Sequence, residues 1–437
     1  MRTLTEIVRK CAQKVKYENT PLVLYAASAF CGRVVRAFRN VGVQPSCICD
    51  GDENKQGKVY YELGVISPAE AAAQYPGANF FITSGLHAPE IIGHLVNNLD
   101  VPPKQILNFE EVEWKKSCVH LESEANLIAN HSIAYFCCFD FGKKMSPSVS
   151  IDCNYSESVT KFIQQRDNLI SELQNGTSDS LCAECAMFKE GYFFVNRKLR
   201  KIFYNDSGGC NFRCIYCKNS TKRPVDLKNP DPINFVELVS VLQRKNEISK
   251  DVKLIMAPGE FTIHPERASL YELCDFAEYI LTNGAIFDEN VNRILANGNT
   301  ALEISIDAGT RETFKHIKGF DLFDRVVENI KRYTENYNSS VHLKYIFLPG
   351  INENVDDVHG FVDICKNSNI DFAVISYDIY LENNVISDNT LKMMKAMADA
   401  FNNNGILFAD YSGLTKTKRY KELSDIKHKH YLQGVLW

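Results

Sequence analysis

The sequence predicts an α/β protein in which a doubly wound parallel sheet is followed by an open, six-unit version of the (β/α)8 barrel. Two observations predict this fold class. Short apolar runs alternate with segments of helical periodicity between residues 21 and 109, and the same alternation returns from Lys201 onward. At 437 residues the chain is long enough for two or three domains. We divide it at these bounds: 1–111 for the doubly wound domain, 112–199 for a cysteine-containing linker region, 200–410 for the partial barrel and 411–437 for a C-terminal tail.

The elements of the first domain follow one another as strand and helix. Four apolar runs are predicted strands: Leu22–Tyr25, Ser46–Asp50, Asn79–Thr83 and Gln105–Phe109. Ser67-Pro68-Ala69-Glu70 combines a capping box with a proline at the first helical position, so a helix begins there. A second helical pattern, Pro89–Leu99, connects the last two strands. This alternation is typical of a parallel doubly wound sheet.

The turn after the first strand is where a nucleotide phosphate would lie in such a sheet, on the N-terminus of the next helix. Here it reads Ala26-Ala27-Ser28-Ala29-Phe30-Cys31, and its only glycine is Gly32. Asp50 follows at about the distance expected for a ribose contact. The segment resembles the Rossmann domains of nucleotide-sugar-binding type that are appended to carbohydrate-modifying enzymes. It either binds a nucleotide or is a recognition or assembly domain that has kept the fold.

Cysteines are concentrated in the linker region. Cys182 and Cys185 form a C-x2-C pair, which usually marks a metal site. Further ligands would come from Cys137, Cys138 or Cys153. The alternatives are a small zinc site and a pair of buried free thiols.

The predicted barrel consists of six strand–helix units. The strands are predicted at Lys201–Asn205, Val252–Ala257, Ala285–Phe287, Leu302–Asp307, Val341–Phe347 and Asp371–Tyr377. The helices are predicted at Pro232–Arg244, Ala268–Leu281, Asn290–Ala296, Leu322–Tyr333, Val355–Cys365 and Leu391–Phe401. Barrel chemistry takes place at the C-terminal ends of the strands, so the segments at Cys210, Glu260 and Asp307 should share one mouth.

The most specific motif is a loop with the spacing C-x3-C-x2-C, formed by Cys210, Cys214 and Cys217. Thiolates select soft metals and iron–sulfur clusters. A cubane cluster has four iron corners, so three ligands leave one corner open for chemistry. A zinc site would need a fourth nearby ligand, but the next histidine is His264 and the next cysteine is Cys274.

The loop resembles the signature of the radical S-adenosylmethionine (radical SAM) enzymes. The resemblance implies that Cys210, Cys214 and Cys217 ligate a [4Fe-4S] cluster, that the methionine part of SAM chelates the open iron, and that Tyr216 packs beside the adenine. It extends over about half of the chain, from Arg200 to Asp410.

Two later segments also resemble that family. Pro258-Gly259-Glu260 is similar to its Gly-Gly-Glu segment, with proline in the place of the first glycine. The resemblance implies that Gly259 and Glu260 receive the SAM ammonium group. Ser305 and Asp307, at the end of the next predicted barrel strand but one, are implied to face the SAM ribose or carboxylate, or the substrate.

The resemblance implies an enzyme that cleaves SAM reductively to a 5′-deoxyadenosyl radical, which then abstracts hydrogen from a substrate. The Rossmann-like domain favours a sugar, nucleotide sugar or glycan precursor as substrate. A peptide is the alternative substrate, and a non-catalytic iron–sulfur or zinc protein that binds or senses is the alternative class. An electron donor such as flavodoxin or ferredoxin is implied, and the auxiliary clusters of some relatives make Cys182 and Cys185 candidates for a second iron–sulfur cluster.

Composition bounds the partners and the compartment. A net charge of −5 gives no general attraction to nucleic acid or to an anionic membrane. The longest apolar stretch, Pro21–Cys31, is too short to span a membrane. Fifteen scattered cysteines and an oxygen-sensitive cluster predict a reducing cytoplasm.

Overall fold

A computed structural model describes most of the 437 residues: 1–85, 87–129, 132–137, 147–206, 209–217, 233–335, 340–378, 386–412 and positions 414, 417 and 420. These residues form a mixed α/β structure whose two large sheets are built mainly of parallel strands. The predicted α/β class is therefore confirmed. Within these residues no helix is both long and apolar enough to cross a membrane.

The N-terminal unit is built on a five-stranded sheet. Its strands are β1 (Leu22–Tyr25), β2 (Cys47–Cys49), β3 (Val59–Tyr60), β4 (Leu63–Ile66) and β5 (Asn79–Ile82). Its helices are α1 (Leu4–Glu18), α2 (Ala29–Asn40), α3 (Pro68–Gln74) and α4 (Ala88–Asn97). The strand order is β3-β4-β2-β1-β5, and only the β3–β4 pair is antiparallel. β1 lies between two parallel neighbours and is buried throughout, which explains its uninterrupted apolar sequence.

In this unit one helix start was predicted correctly from local sequence and one strand was not. Ser67 and Glu70 form the predicted capping box at the start of α3. The strand predicted at Gln105–Phe109 is wrong, because only Ile106 forms an isolated bridge there. Pro102 and Pro103 lead instead into a 3-10 turn, and neither proline can donate to a strand ladder.

The middle of the chain supplies strands to two sheets. Its strands are β6 (Val112–Ser117), β7 (Glu124–Ile128), β8 (Ile133–Tyr135), β9 (Ser148–Ser150) and β10 (Lys189–Phe194), and its helices are α5 (Val119–Ser123) and α6 (Tyr155–Asn175). β6 and β10 form a two-stranded antiparallel ribbon. β7, β8 and β9 form one edge of the large, ten-stranded sheet, where β7 pairs with the strand that begins at Leu199. The boundary predicted between residues 199 and 200 therefore falls within one continuous sheet.

The C-terminal part adds seven parallel strands in sequence order. They are β11 (Leu199–Asp206), β12 (Ile248–Pro258), β13 (Ala277–Thr282), β14 (Ala301–Ser305), β15 (Val341–Phe347), β16 (Phe372–Tyr377) and β17 (Leu407–Asp410). The helices between them are α7 (Phe235–Arg244), α8 (Arg267–Cys274), α9 (Glu289–Ala296), α10 (Arg311–Lys318), α11 (Phe323–Thr334), α12 (Val355–Asn367) and α13 (Asp388–Asn403). Parallel order places the C-terminal ends of these strands along one edge of the sheet.

The structure corrects the prediction around β13. The helix predicted over Ala268–Leu281 ends at Cys274, and the strand predicted at Ala285–Phe287 is a loop. The strand lies at Ala277–Thr282, where β12 and β14 pair with it on either side. Pairing with two neighbours decides the conformation here over local periodicity.

The N-terminal unit packs on the last strands of the large sheet. Apolar residues of α1 and α2 share a core with Phe372 and Val374 of β16 and with Leu407 of β17. Buried Arg33 donates to the carbonyl of Asn299 at 2.9 Å. The shared core makes the two units one packed structure.

Candidate functional site

The cysteine loop rests on the C-terminal end of α10. The amide of Arg213 donates to the carbonyl of Lys318, and the amide of Ile215 donates to that of Ile317, both at 3.0 Å. Carbonyls in the last turn of a helix have no partner within the helix, so these bonds satisfy them and fix the loop. Gly319 ends the helix with a φ of +76°, a conformation that favours glycine.

An apolar contact holds the middle of the loop. Phe212 is buried and meets Phe314 of α10 edge to face, with 5.8 Å between ring centroids. This contact turns the Phe212 side chain into the core, while Cys210, Cys214 and Cys217 remain only partly buried. None of the three is in a disulfide.

The three thiols lie near one another. Burial raises the pKa of Cys214, with Lys318 opposing the shift and Cys210 and Cys217 close enough to add to it. In the described part of the chain, no three thiols, imidazoles or carboxylates are placed to hold a single metal ion. In a four-iron cluster each cysteine binds a different iron, so the thiols surround the cluster and do not meet at one point.

Hydrogen bonds to sulfur also suit a cluster. The amide of Phe212 and the side-chain amide of Asn283 both donate to Cys210 Sγ at 3.5 Å. Such bonds tune iron–sulfur sites. The residues present therefore fit an iron–sulfur cluster better than a lone zinc ion.

Glu260 links the ends of three strands. One carboxylate oxygen accepts from the amide and hydroxyl of Thr262 and from the hydroxyl of Thr282, at 2.6 to 3.1 Å. The other oxygen accepts from the amide of Asn283 at 2.7 Å. The amide of Glu260 donates to the carbonyl of Gly209 at 3.0 Å. Burial raises the pKa of this carboxyl, and the hydrogen bonds oppose that shift.

Asn283 is a site residue that the sequence reasoning missed. Its side chain donates to Cys210 Sγ and, at 2.6 Å, to the side chain of Asn211, while its amide donates to Glu260. It directly follows β13, the strand that was predicted as helix. A correct strand assignment would have placed Asn283 at the same edge as Glu260.

Asp307 lies under the cysteine loop in a buried network. One oxygen of its fully buried carboxylate accepts from the hydroxyl of Tyr216 at 2.6 Å and forms an ion pair with Lys318. The other accepts from the amide of Ile346 at 2.9 Å. Burial acts to lower the pKa of Lys318, but Asp307 beside it raises it overall. Asp307 thus holds the loop to the sheet, and its predicted contact with SAM or substrate stays a prediction.

Two further predicted residues are placed differently. Gly259 is exposed with a φ of +45°, directly before Glu260. Ser305 is the last residue of β14 and is partly exposed. Both therefore present groups to solvent at the same edge as the cysteine loop, whereas the carboxylates of Glu260 and Asp307 are enclosed.

Comparison with known proteins identifies the domain around this edge. Residues 204–363 match the family model described as the radical SAM superfamily. The chain carries a radical SAM domain. The family predicted from the cysteine loop is thereby confirmed, and with it the enzyme class. A [4Fe-4S] cluster and SAM are the cofactors of this family, so these two predicted cofactors are confirmed as well.

Relatives match about half of the chain or less. It is 28% identical over 225 residues to the molybdenum cofactor biosynthesis protein moc-5 of Caenorhabditis elegans, covering 48% of this chain and 36% of that protein. It is 26% identical over 172 residues to the GTP 3',8-cyclase of Chlorobaculum tepidum, covering 38% of this chain and 49% of that enzyme. The chain thus spans about half or less of these relatives.

One solved structure is also similar in part. SuiB of Streptococcus suis bound to precursor peptide SuiA has a TM-score of 0.41 and 14% identity, over 65% of this chain and 59% of that chain.

Outside the radical SAM domain, the first turn of the N-terminal unit is filled by its own side chains. Asp50 accepts from the amide of Ala27 at 2.8 Å and from Lys55 Nζ at 3.0 Å. Ser28 donates its hydroxyl to the carbonyl of Thr83 at 2.7 Å. The carboxylate predicted to contact a ribose therefore stabilises the turn itself.

The cysteines of the 112–199 linker region differ in their surroundings. Cys182 and Cys185 line a recess together with Cys137 and with Cys118, which the sequence analysis had not considered as a ligand. Cys153 is exposed. Cys138 lies outside the described residues.

Proposed function

We propose that this chain is an enzyme that uses a [4Fe-4S] cluster at Cys210, Cys214 and Cys217 together with SAM to abstract hydrogen from a substrate. The observation that carries the proposal is the hydrogen-bonded connection from Glu260 through Asn283 to Cys210, which joins the ends of β12 and β13 to the cysteine loop after β11. When bound, the cluster and SAM supply one-electron cleavage of SAM and a carbon radical.

The side chains divide into those that bind and those that position. The three cysteines provide the cluster ligands, and Gly259, Ser305 and the ring of Tyr216 remain the candidates for SAM contacts. Glu260 and Asp307 act as positioning residues, because every carboxylate oxygen already accepts a hydrogen bond from the protein. Rigid placement of the reacting groups is what such chemistry requires of a protein.

The parts around the site complete the proposal. We infer a Rossmann-like N-terminal domain and a partial barrel formed by β11 to β17 with their helices. An external one-electron donor such as flavodoxin or ferredoxin would reduce the cluster. None of the fourteen cysteines in the described residues is in a disulfide, which supports a reducing compartment such as the cytoplasm.

The substrate class has two small-molecule candidates. The relatives include a GTP 3',8-cyclase, so GTP is one candidate. A nucleotide sugar or glycan precursor is the other; the Rossmann-like domain suggests it, and the comparisons give it no support. The match covers about half or less of each relative, so neither candidate transfers from the relatives directly. A peptide remains the alternative substrate.

The experiment is an anaerobic SAM cleavage assay. The wild type and the loop variant Cys210→Ala/Cys214→Ala/Cys217→Ala are reconstituted with iron and sulfide, reduced, and assayed for 5′-deoxyadenosine, with GTP, a nucleotide sugar or a peptide added in turn. The wild type should form 5′-deoxyadenosine and the loop variant should not. Equal yields from the two proteins would contradict the assignment of these three cysteines as cluster ligands. No product from a fully loaded wild type with any substrate would favour a binding or sensing role.

A further inference from the structure

Four cysteines from three separate segments face one recess on the side of the large sheet. Cys118 follows β6, Cys137 follows β8, and Cys182 and Cys185 belong to the turn before β10. The other lining residues of the recess are mainly apolar: His120, Leu121, Met187 and Phe188.

The four thiols lie within electrostatic range of one another. Burial raises the pKa of Cys118, and Cys137 and Cys185 lie close enough to raise it further. Burial also raises the pKa of Cys182, and the same two cysteines add to that shift. Cys118, Cys137 and Cys182 are buried, while Cys185 is partly exposed. Cysteines from three segments, which are separated by 19 and 45 residues along the chain, are therefore gathered around one small space.

We propose that Cys118, Cys137, Cys182 and Cys185 bind a second [4Fe-4S] cluster. Four thiolates match the four iron corners of a cubane, so no iron would be left open. The site would then hold its cluster without binding SAM or substrate. The proposal replaces Cys138 and Cys153, two of the ligands considered from sequence, with Cys118.

The placement of the thiols does not match a single zinc ion. A zinc ion needs four ligands at about 2.0 to 2.3 Å from one point, and within the described residues no three candidate ligands are placed to hold a single ion. The same is true of the Cys210 loop, which belongs to a domain that holds a cluster. His120 also lines the recess, but its Nδ1 pairs with Glu124 at 2.7 Å, which leaves sulfur as the main donor type.

The position of the recess assigns it a role distinct from the SAM site. Cys118 leads through α5 into the N-terminal end of β7, whereas the Cys210 loop follows the C-terminal end of β11. β7 and β11 are parallel neighbours, with Glu124 beside Lys201 and Ile128 beside Asn205. The five residues of β7 span roughly 16 Å, so the two sites lie at opposite ends of the strands. A cluster in the recess would fasten the β6–β10 ribbon to the large sheet.

The test counts iron and sulfide in the full-length loop variant after anaerobic reconstitution. With the three cysteines of the Cys210 loop replaced by alanine, the protein should keep about four iron and four sulfide per chain and a cluster absorption band. Adding Cys118→Ser should reduce the iron to well below one per chain. Adding Cys153→Ser instead is the matched control, and should leave about four iron.

A second variant protects the test against misfolding. Cys185→Ser changes a partly exposed position and should cause the same iron loss with an unchanged circular dichroism spectrum. The proposal is overturned if the loop variant binds no iron, if it binds one zinc ion in its place, or if both serine variants keep their iron. The count does not depend on SAM cleavage, so its failure and that of the proposed function are separate results.

Discussion

At the scale of single residues, two buried carboxylates determine how the cysteine loop is held. Glu260 accepts four hydrogen bonds, and Asp307 binds Tyr216, Lys318 and the amide of Ile346. Buried charged groups are tolerated only when paired in this way. Both residues were predicted from the family resemblance to contact SAM or the substrate, and that contact stays a prediction. In the structure their hydrogen bonds support the backbone on which the cysteine loop lies.

The first prediction concerns Lys318. Changing Lys318 to Met leaves the carboxylate of Asp307 buried without its cation, so the free energy of unfolding should fall by about 3–5 kcal/mol. Lys315→Met, at an exposed position on the same helix, should change it by less than about 0.5 kcal/mol. Urea unfolding of the two variants measures both values, and equal stabilities would contradict the role given to the ion pair.

At the scale of elements, the C-terminal end of α10 supports the cysteine loop. The loop donates two amides to the end of the helix, and Gly319 turns the chain away with positive φ. A Cβ atom at Gly319 would lie 3.2 Å from the Cβ of Arg213 in the loop. The end of α10 and the cysteine loop are therefore in direct contact at this point.

The second prediction follows from this contact. Gly319→Ala adds backbone strain of about 1 kcal/mol and also presses on Arg213, so it should reduce the iron retained by the Cys210 loop. Gly405→Ala is the matched control, since it has a φ of +68° with open space around it. The control should share the loss of stability and keep full iron content. Iron analysis after gel filtration decides the matter, and identical retention in both variants would refute a coupling through Arg213.

The fold and the site were predictable from sequence to different depths. Cys210, Cys214 and Cys217 are adjacent in the chain, so their spacing alone indicated a cluster. β1 is a fully buried apolar run, β15 is mainly buried, and both were predicted at the bounds that the structure has. Contacts between distant segments were not visible, because nothing local connects Asp307 with Lys318 and Tyr216.

The errors have physical causes of the same kind. Tyr279 and Ile280 fit a helix as well as a strand, and only the pairing of β12 and β14 with this segment makes it β13. Asn283 was missed with it. In the recess, short sequence spacing drew attention to Cys182 and Cys185, while Cys118 reaches them only through the β6–β10 ribbon.

At the scale of the whole molecule, the N-terminal unit and the large sheet share a buried interface. Arg36 forms an ion pair with Asp371 at 2.6 Å, and Arg33 is buried beside it. His342 of β15 is buried against the ring of Phe372, close to both arginines. Burial lowers the pKa of His342 to about 3, and Arg33 and Arg36 add to the shift.

The third prediction is an acid sensitivity that originates at this interface. The pKa of His342 lies below its ordinary value of 6.5, so as pH falls the unfolded chain takes up a proton before the folded chain does. The contribution of neutral His342 to the free energy of unfolding is therefore fully present above pH 6.5 and is lost progressively towards pH 3. About 2 kcal/mol of it should be lost at pH 5. Urea unfolding at pH 7 and pH 5 should show this loss in the wild type and a loss smaller by about 2 kcal/mol in His342→Phe. An equal loss in both proteins would contradict the assignment.

We propose that the edge of the large sheet holds a cluster with an open iron that SAM occupies. Electron paramagnetic resonance of the reduced protein, recorded without and with SAM, tests it most directly because the signal reports the ligands of the iron. The spectrum should change when SAM is added to the wild type or to Cys118→Ser, and the loop variant should give no SAM-dependent signal. A cluster signal at the Cys210 loop that SAM leaves unchanged would contradict it.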